Sequence, residues 1–430
     1  MKKKKKSAIA LSALIALSCT GGMGVSAENA VKTSAAKEAG TVNKSISTSS
    51  KKETDEKIKE SFVSSQLEFS LNMFKKSFAA GKGENMLVSP LSAVPALTMA
   101  ANGADKETLS EMEKVLGGEL SIEELNRQLS EYLNGLWSGE KCRLHMADSI
   151  WIKNVKDLVV NLSFIKTNHD YYDAQIHKAP FNAETVKDIN DWVKDNTGGM
   201  IKKVINTIDA DAVMYLINAL AFDAEWNRPY STDDISDGIF TASDGSRQKA
   251  EMMRSEERVY LSDGKAVGFM KPYKGGKYSF AAILPDKNIT LEEYVNSLTA
   301  EGLQKLLTKY TLGFVDTKTP KFEYDYDIRL DGILKEMGMT SAFDGDKADF
   351  SEMGKMKNGN LYIGSVIQKT FIKVDEKGTK AGAATVIAAE NAVISVPKVK
   401  TQVYLDRPFV YMIVDNENYL PIFMGVLRSL

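Results

Sequence analysis

The chain has 430 residues, of which 43% are hydrophobic and 26% are charged, a composition typical of globular rather than disordered or fibrous proteins. Its 55 Lys and Arg residues nearly balance 57 Asp and Glu residues, so it lacks the basic excess expected of a nucleic-acid-binding protein. With only 3 His and 2 Cys, the sequence disfavours metal sites and Cys/His catalysis, and we expect no metal and no cofactor.

Met1–Ala27 has the three parts of a secretory signal peptide. Lys2–Lys6 form a charged region, Ala8–Leu17 form an apolar stretch, and Val25–Ala27 form a small-residue cleavage site. The apolar stretch is too short to span a bilayer as a helix in the mature protein. Cleavage would remove five lysines and no acid, leaving 50 basic against 57 acidic residues and a charge near −7. The sequence therefore predicts a secreted, extracellular protein.

The same segment has a second interpretation. Ala16-Leu17-Ser18-Cys19 could be a lipoprotein signal, in which case Cys19 would be acylated and would anchor the protein to the cell surface without a membrane span. In both interpretations Cys142 is the only other cysteine, so the folded domain can form no intramolecular disulfide. We expect Cys142 to be a partly buried free thiol.

Residues 28–60 are rich in Ser, Thr, Lys, Glu and Ala and contain almost no large apolar side chain. Such a segment cannot bury enough surface to offset the entropy lost on ordering, and it predicts a disordered linker. The folded domain, residues 61–430, begins with apolar side chains at helical spacing. These are Phe62, Leu67, Leu71, Phe74 and Phe78.

The first elements of the domain follow from capping and proline signals. Ser89-Pro90 indicates a helix N-cap followed by proline at the first helical position, and Pro95 should kink that helix or keep it short. A helix is predicted over Lys106–Val115, ended by Gly117-Gly118.

Later elements follow from apolar runs and periodicity. Strands are predicted at Ala147–Ile152, Val213–Phe222, Tyr278–Leu284, Tyr362–Val374 and Phe409–Val414, and helices at Thr185–Lys194 and Ile328–Met337. The two element types do not alternate strictly and show no repeat, which favours a mixed α+β fold. No linker interrupts the region, so one large two-lobed domain is expected.

Several motifs stand in one order along this domain. They are NMLVSPLSAVPALTMAANGADKET (Asn85–Thr108), INDWVKDNTGGMI (Ile189–Ile201), NALAFDAEW (Asn218–Trp226), TPKF (Thr319–Phe322), GMTSAFDGDKADFSEM (Gly338–Met353), VDEKGTKAGAAT (Val374–Thr385), DRPFVYMIVDN (Asp406–Asn416) and FMG (Phe423–Gly425). In these motifs the chain resembles the serpins from about Phe62 to its C-terminus. The resemblance implies a monomer with three β-sheets, eight to nine helices and an exposed reactive-centre loop. It also implies an irreversible inhibitor of serine proteases rather than an enzyme.

The segment Gly378–Thr385 has the pattern of a hinge that can become a strand. Alternate side chains of a strand point to opposite faces, so the inward set would be Thr379, Ala381, Ala383 and Thr385 and the outward set Lys380, Gly382 and Ala384. All inward side chains are small, as insertion into a packed sheet requires, since a larger one would cost roughly 1–3 kcal/mol.

The scissile bond is less closely defined than the hinge. The spacing customary in the family places it at Ala392-Val393, which implies an elastase-like target. Ile394-Ser395 is the alternative, because the segment from Val393 to Arg407 is long for the family. Lys398 lies too far along for a trypsin-like target.

The resemblance also implies two clusters that control insertion. Ser89, Ser92 and Asn218, with Gln368 where the family usually has histidine, match a polar network called the shutter, which lies beneath the sheet. An amide can both donate and accept, so Gln368 could preserve the network without the pH sensitivity of an imidazole.

The second cluster, called the breach, comprises Lys321 and Glu376 near Trp226 at the top of the sheet. The pair would hold the sheet closed until the loop is cut.

Three other functions compete with inhibition. A non-inhibitory serpin-like carrier would tend to have bulky or charged inward hinge residues, unlike this chain. A serine hydrolase would need a G-x-S-x-G elbow, which the sequence lacks, and only His145, His169 or His177 could act as its base. An adhesin would suit the linker but would explain neither the hinge nor the shared motifs.

Overall fold

The computed structural model describes residues 40–81, 83–136, 138–156, 158–209, 212–357, 360–379 and 400–430. The chain divides into two units, Met1–Glu53 and Thr54–Leu430. Of the first unit only residues 40–53 are described, and they are helical. The predicted signal peptide, including Cys19, lies outside the described residues.

Nine α-helices are present in the described part of the chain. They are α1 (Gly40–Ala80), α2 (Pro90–Ala101), α3 (Lys106–Gly117), α4 (Ile122–Gly135), α5 (Leu162–Tyr172), α6 (Ala183–Asn196), α7 (Leu291–Ser297), α8 (Ala300–Thr308) and α9 (Asp331–Met337). Local sequence explains several starts. Ser121 and Glu124 form a capping box on α4, and Asn182 and Thr185 form one on α6, which satisfies backbone N–H groups at each N-terminus. Within the same ranges, no helix is both long and apolar enough to cross a membrane.

The beginning of α1 differs from the predicted linker. Residues 28–39 lie outside the described part, but the chain is helical from Gly40 onward. Lys and Glu are good helix formers, and extending a helix already nucleated by its buried turns adds one hydrogen bond per residue. Those buried turns begin at Phe62, whereas most side chains from Thr54 to Glu60 are exposed.

Seventeen strands are present in the described residues. They are β1 (Met86–Val88), β2 (Cys142–Lys153), β3 (Val159–Val160), β4 (Gln175–Ala179), β5 (Met214–Glu225), β6 (Ile235–Thr241), β7 (Arg247–Ser262), β8 (Ala266–Pro272), β9 (Tyr278–Pro285), β10 (Thr311–Pro320), β11 (Phe322–Arg329), β12 (Gly354–Lys355), β13 (Ser365–Val374), β14 (Gly378–Thr379), β15 (Lys400–Tyr404), β16 (Phe409–Asp415) and β17 (Pro421–Leu427).

The strands form three sheets. The nine-stranded sheet has the order β1-β17-β16-β9-β8-β7-β10-β15, with β6 also paired to β7. The six-stranded sheet has the order β11-β13-β14-β5-β2-β4, and β3 pairs with β12 in a small third sheet. These sheets, together with the helices, confirm the predicted α+β class with three sheets.

Three apolar clusters hold the elements together. The largest packs α1 and α2 against strands of both large sheets. The second cluster is rich in aromatic rings and joins the C-terminal end of β5 to β9 and β16. The third packs α6 against β2 and β5. Every residue of α2 is buried, which agrees with the lack of an amphipathic pattern in its mostly apolar sequence.

Element types were predicted better than element ends. The strand predicted at Ala147–Ile152 lies within β2, which begins five residues earlier at Cys142. The predicted helix Ile328–Met337 was wrong at its start, because Ile328 and Arg329 pair with β13 as the end of β11. Proline does not end α2, which continues past Pro95 to Ala101.

Cys142 provides a test of the core. It is a free, buried thiol, and burial raises its pKa to about 12, with a smaller contribution from Asp223. Because the thiolate is the reactive form, we expect Cys142 in a Cys19→Ser variant to resist a thiol reagent at pH 8 until denaturant is added. Rapid labelling of the native protein, followed by absorbance, would contradict this burial.

Candidate functional site

The six-stranded sheet is open between β5 and β13. The two strands pair in parallel only at one end, from Ser365↔Tyr215 to Ile367↔Ile217. Beyond this contact, no strand in the described residues pairs with the facing edges of Asn218–Asp223 and Gln368–Lys373. We call these two facing edges the sheet opening. Unpaired backbone groups at such edges can accept a further strand.

The hinge begins inside this sheet. After β13 the chain reverses, and β14 lies antiparallel to both neighbours, with Thr379 opposite Val374 and Ala224. Thr379 is only 2% exposed, and its hydroxyl shares a 2.6 Å hydrogen bond with that of Tyr273. The structure therefore places the first inward hinge residue on the core face of the sheet.

Gly378 fits where a larger residue would not. A Cβ atom at this position would lie 1.9 Å from the carbonyl oxygen of Ala224 and 2.8 Å from the Cα of Glu225. Contacts this short are prohibitive, so glycine permits the close approach of β14 to β5.

The turn that joins β13 to β14 is anchored by backbone hydrogen bonds. The Trp226 N–H donates to the Lys377 carbonyl over 2.8 Å, and the Tyr230 N–H donates to the Glu376 carbonyl over 2.9 Å. The indole N–H of Trp226 donates to the Asp375 carbonyl, also over 2.8 Å. Trp226 thus holds both sides of the turn.

An ion pair lies on the outer side of this turn. Lys321 Nζ is 2.9 Å from Glu376 Oε2 and 3.4 Å from Glu251 Oε1. The hydrogen bond from Lys321 lowers the pKa of Glu376. Burial opposes the charge on Lys321, but its contacts with Glu376 and Glu251 leave its pKa raised. The structure brings together all three residues assigned to the breach, since this pair and Trp226 hold the same turn.

A buried ion pair behind Trp226 was not predicted from the sequence. Lys271 Nζ lies 2.7 Å from Glu257 Oε1, and both side chains are almost fully buried. The ammonium also lies 4.3 Å from the ring centre of Tyr230 and 5.5 Å from that of Trp226, within the range of cation–π attraction. Burial lowers the pKa of Lys271, but Tyr230 and Glu257 more than offset this effect and leave it raised. The only signal in the sequence is a lysine at the end of the apolar run of β8.

Gln368 binds the N-terminus of α2 at the far end of the opening. Its amide oxygen accepts from the Ser89 N–H over 2.8 Å, and its amide nitrogen donates to the Ser89 carbonyl over 2.8 Å and to the Ser92 hydroxyl over 3.2 Å. The Ser89 hydroxyl donates to the Ile422 carbonyl over 2.8 Å. The amide thus donates and accepts at once, tying β13 to the start of α2.

The remaining predicted residues are less well described. Asn218 lies on β5 opposite Asp148, but its side chain is outside the described part. The hinge from Lys380 to Thr385 and both candidate bonds, Ala392-Val393 and Ile394-Ser395, are also outside it. Among the residues that are described, no group of three or more His, Cys, Asp or Glu could hold a metal ion.

Comparison with known proteins agrees with this architecture. The crystal structure of tengpin, a thermophilic serpin, in its native state is 48% identical, with a TM-score of 0.81 over 86% of this chain and 94% of that one. Leukocyte elastase inhibitor A of Mus musculus is 27% identical over 84% of this chain and 97% of its own length. A thyroxine-binding globulin complex with thyroxine is 22% identical, with a TM-score of 0.74 over 85% of this chain and 98% of that one, and shows a shared fold alone.

The family assignment follows from a match along most of the chain. The sequence model described as serpin (serine protease inhibitor) matches residues 64–430. This range includes the sheet opening, the anchored turn and the start of the hinge. The chain therefore belongs to the serpin family, whose members include inhibitors of serine proteases.

Proposed function

We propose that this protein is a single-use inhibitor of elastase-like serine proteases, which acts by loop cleavage, acyl-enzyme trapping and strand insertion. One observation carries the proposal: Gly378 and Thr379 already form the first residues of a strand between β5 and β13. The facing edges beyond them can accept the rest of the hinge.

Extending the observed register predicts the inserted contacts. Because pairing is antiparallel, each further inward hinge residue meets one residue of β13 and one of β5. Ala381 would lie between Ile372 and Phe222, Ala383 between Thr370 and Leu220, and Thr385 between Gln368 and Asn218.

The side chains of β13 and β5 that would flank the inserted strand explain why its inward side chains must be small. Ile372, Thr370, Leu220 and Phe222 are buried, so they leave little room for inward side chains of the new strand. An alanine adds one carbon, whereas an oversized side chain would force strain of about 1–3 kcal/mol. Insertion would also pair backbone groups along both edges, each hydrogen bond contributing roughly 0.5–1.5 kcal/mol.

Insertion can trap a protease because it follows the first chemical step. The serine hydroxyl of the target would attack the Ala392 carbonyl, forming an ester and releasing the amine of Val393. The freed hinge would then enter the sheet opening and carry the attached protease with it. Inhibition requires insertion to distort the protease before water hydrolyses the ester.

The target class rests on the scissile residue. A small alanine at the cleavage position suits a shallow apolar specificity pocket, and one relative is named for inhibition of leukocyte elastase. Cleavage at Ile394-Ser395 instead would favour a protease with a larger apolar pocket.

The anchored turn would act as the gate for insertion. Its ion pair is partly exposed, with 34% exposure for the side chain of Glu376 and 23% for that of Lys321. An exposed pair contributes only about 0–1 kcal/mol, so its role would be to control the timing of insertion rather than to supply bulk stability.

We further infer that the inhibitor is a monomer that acts outside the cell. Met1–Ala27 would direct export, releasing a secreted protein, or Cys19 would carry a lipid anchor. Both routes would place the reactive loop among extracellular proteases.

The first test is formation of a covalent complex. We expect incubation with pancreatic or neutrophil elastase to yield an adduct of higher mass on a denaturing gel, with the loop cut. Catalytically inactivated elastase is the control and should form none. Clean cleavage without an adduct would instead favour a non-inhibitory binding or carrier protein. Mass spectrometry of the released C-terminal peptide would distinguish Ala392-Val393 from Ile394-Ser395.

The second test changes one inward hinge residue. Ala381→Arg would place an unpaired charge on the core face between Ile372 and Phe222, and a buried unpaired charge opposes insertion. We expect the variant to be cleaved as a substrate, with adduct yield reduced at least about tenfold, equivalent to about 1.4 kcal/mol. Lys380→Arg puts the same residue on the outward face and should keep the adduct. Equal yields from both variants, measured by gel densitometry, would show the register to be wrong.

The third test removes the gate's ion pair. Because the folded-state pKa of Glu376 is lowered, the pair stabilises the protein above the carboxyl's unfolded pKa and loses its effect as the pH falls through the folded value. At pH 7, Glu376→Gln should shorten the half-life of adduct-forming activity on warming by up to about fivefold, and the difference should vanish below the lowered pKa. Thermal unfolding across pH measures the accompanying stability change.

The control for this experiment is Glu301→Gln. Glu301 pairs with Lys305 on α8, outside the six-stranded sheet, and the hydrogen bond from Lys305 lowers the pKa of Glu301 as well. This variant should retain the parent half-life at pH 7. If both variants lose activity at the same rate, the gate assigned to Lys321 and Glu376 is incorrect.

A further inference from the structure

A cavity separate from the sheet opening lies where β7, β8 and β10 meet the turn between β16 and β17. Its volume is about 600 Å³, within the range of roughly 300–1,000 Å³ typical of small-molecule sites. The apolar part of its lining comprises Val259, Met270, Pro272, Tyr310, Leu312 and Tyr419.

A β-bulge shapes the mouth of this cavity. The pairing of β10 with β7 shifts between Leu312 and Val315, so the hydrogen-bond ladder between the two strands is interrupted there. Leu312 at the mouth is 64% exposed, and Tyr310 beside it is 36% exposed. Large apolar side chains exposed next to a cavity are a feature of binding surfaces.

The charges around the cavity favour an anion. Its lining contains three cations, Arg228, Arg258 and Lys271, against two carboxylates, Glu256 and Glu257, an excess of one positive charge. Lys271 is already neutralised by its buried pair with Glu257. The positive charge that is not paired with Glu257 therefore lies on the side chains of Arg228 and Arg258.

Arg258 is available to a ligand. Its guanidinium lies 4.2 Å from the ring centre of Phe314, which orients it, and no carboxylate within the described ranges is at ion-pairing distance from it. A guanidinium presents paired N–H donors that match the two oxygens of a carboxylate.

We propose that this cavity binds a small apolar carboxylate. The carboxylate would accept hydrogen bonds from Arg258, and the apolar body would pack against Val259, Met270 and Leu312. The site is separate from the reactive loop, and the proposal does not depend on protease inhibition. Lys271 lines the cavity and also contacts Trp226. Only the Lys271 side chain would therefore separate the ligand from Trp226, which holds the turn between β13 and β14.

The experiment compares two probes of the same shape. Naphthalene-2-carboxylate and the neutral naphthalene-2-carboxamide are titrated into the purified protein by isothermal calorimetry. We expect one carboxylate per chain, bound at least about tenfold more tightly than the carboxamide, as charge-assisted hydrogen bonds allow. Arg258→Gln should remove this preference, and Leu312→Asp should weaken both probes.

The control is Arg247→Gln, at the other end of the same strand, β7. Arg247 and Arg258 are both exposed, so neither change should disturb folding, and thermal unfolding verifies this. The carboxylate affinity should remain unchanged in the control. Absence of carboxylate binding, equal affinities for the two probes, or unchanged binding by Arg258→Gln would each overturn the proposal.

Discussion

The close approach of Gly378 to the backbone of Ala224 fixes the geometry on which the hinge depends. A side chain at position 378 would collide with that carbonyl oxygen, so only glycine lets β14 enter beside β5 in this register. Thr379 pairs with Val374 and Ala224, and if the hinge continued as a strand in this register, strand periodicity would set the facing of each later residue. The close approach of Gly378 to Ala224 would therefore direct the small side chains of Ala381, Ala383 and Thr385 toward the core face of the sheet.

Two sets of interactions have opposite effects on the turn between β13 and β14: one fixes the turn in place, and the other favours extension of β14. Hydrogen bonds from Trp226 and Tyr230 to carbonyl groups of the turn fix the position of the turn between β13 and β14. The unpaired edges of β5 and β13 favour a longer strand, since each new hydrogen bond adds stability. In the proposed mechanism, cutting the loop would free the hinge to pair with these edges. The native fold is then a state in which sheet pairing remains incomplete.

How much of this could be read from the sequence depends on whether a feature is local. The helix α3 and the strand β5 followed from caps and apolar runs, and alternation in Gly378–Thr385 predicted the facing of Thr379. The buried pair Lys271 and Glu257 was not predictable, because the two residues lie on different strands and meet only through sheet register. The helical start of α1 was missed because a segment with almost no large apolar side chain shows no helical periodicity, although its Lys and Glu residues are good helix formers.

The two ends of the sheet opening should differ in how readily they separate. At the upper end, the turn is held by three hydrogen bonds and a partly exposed ion pair. At the lower end, every polar group of the Gln368 amide is engaged with Ser89 or Ser92. In the proposed register, Thr385 would lie beside Gln368. If the Thr385 hydroxyl displaced a hydrogen bond of the Gln368 amide, each buried polar group left without a partner would cost about 1–3 kcal/mol. In the proposed mechanism, insertion as far as Ala383 would require no such exchange, so the step that places Thr385 beside Gln368 would cost the most free energy.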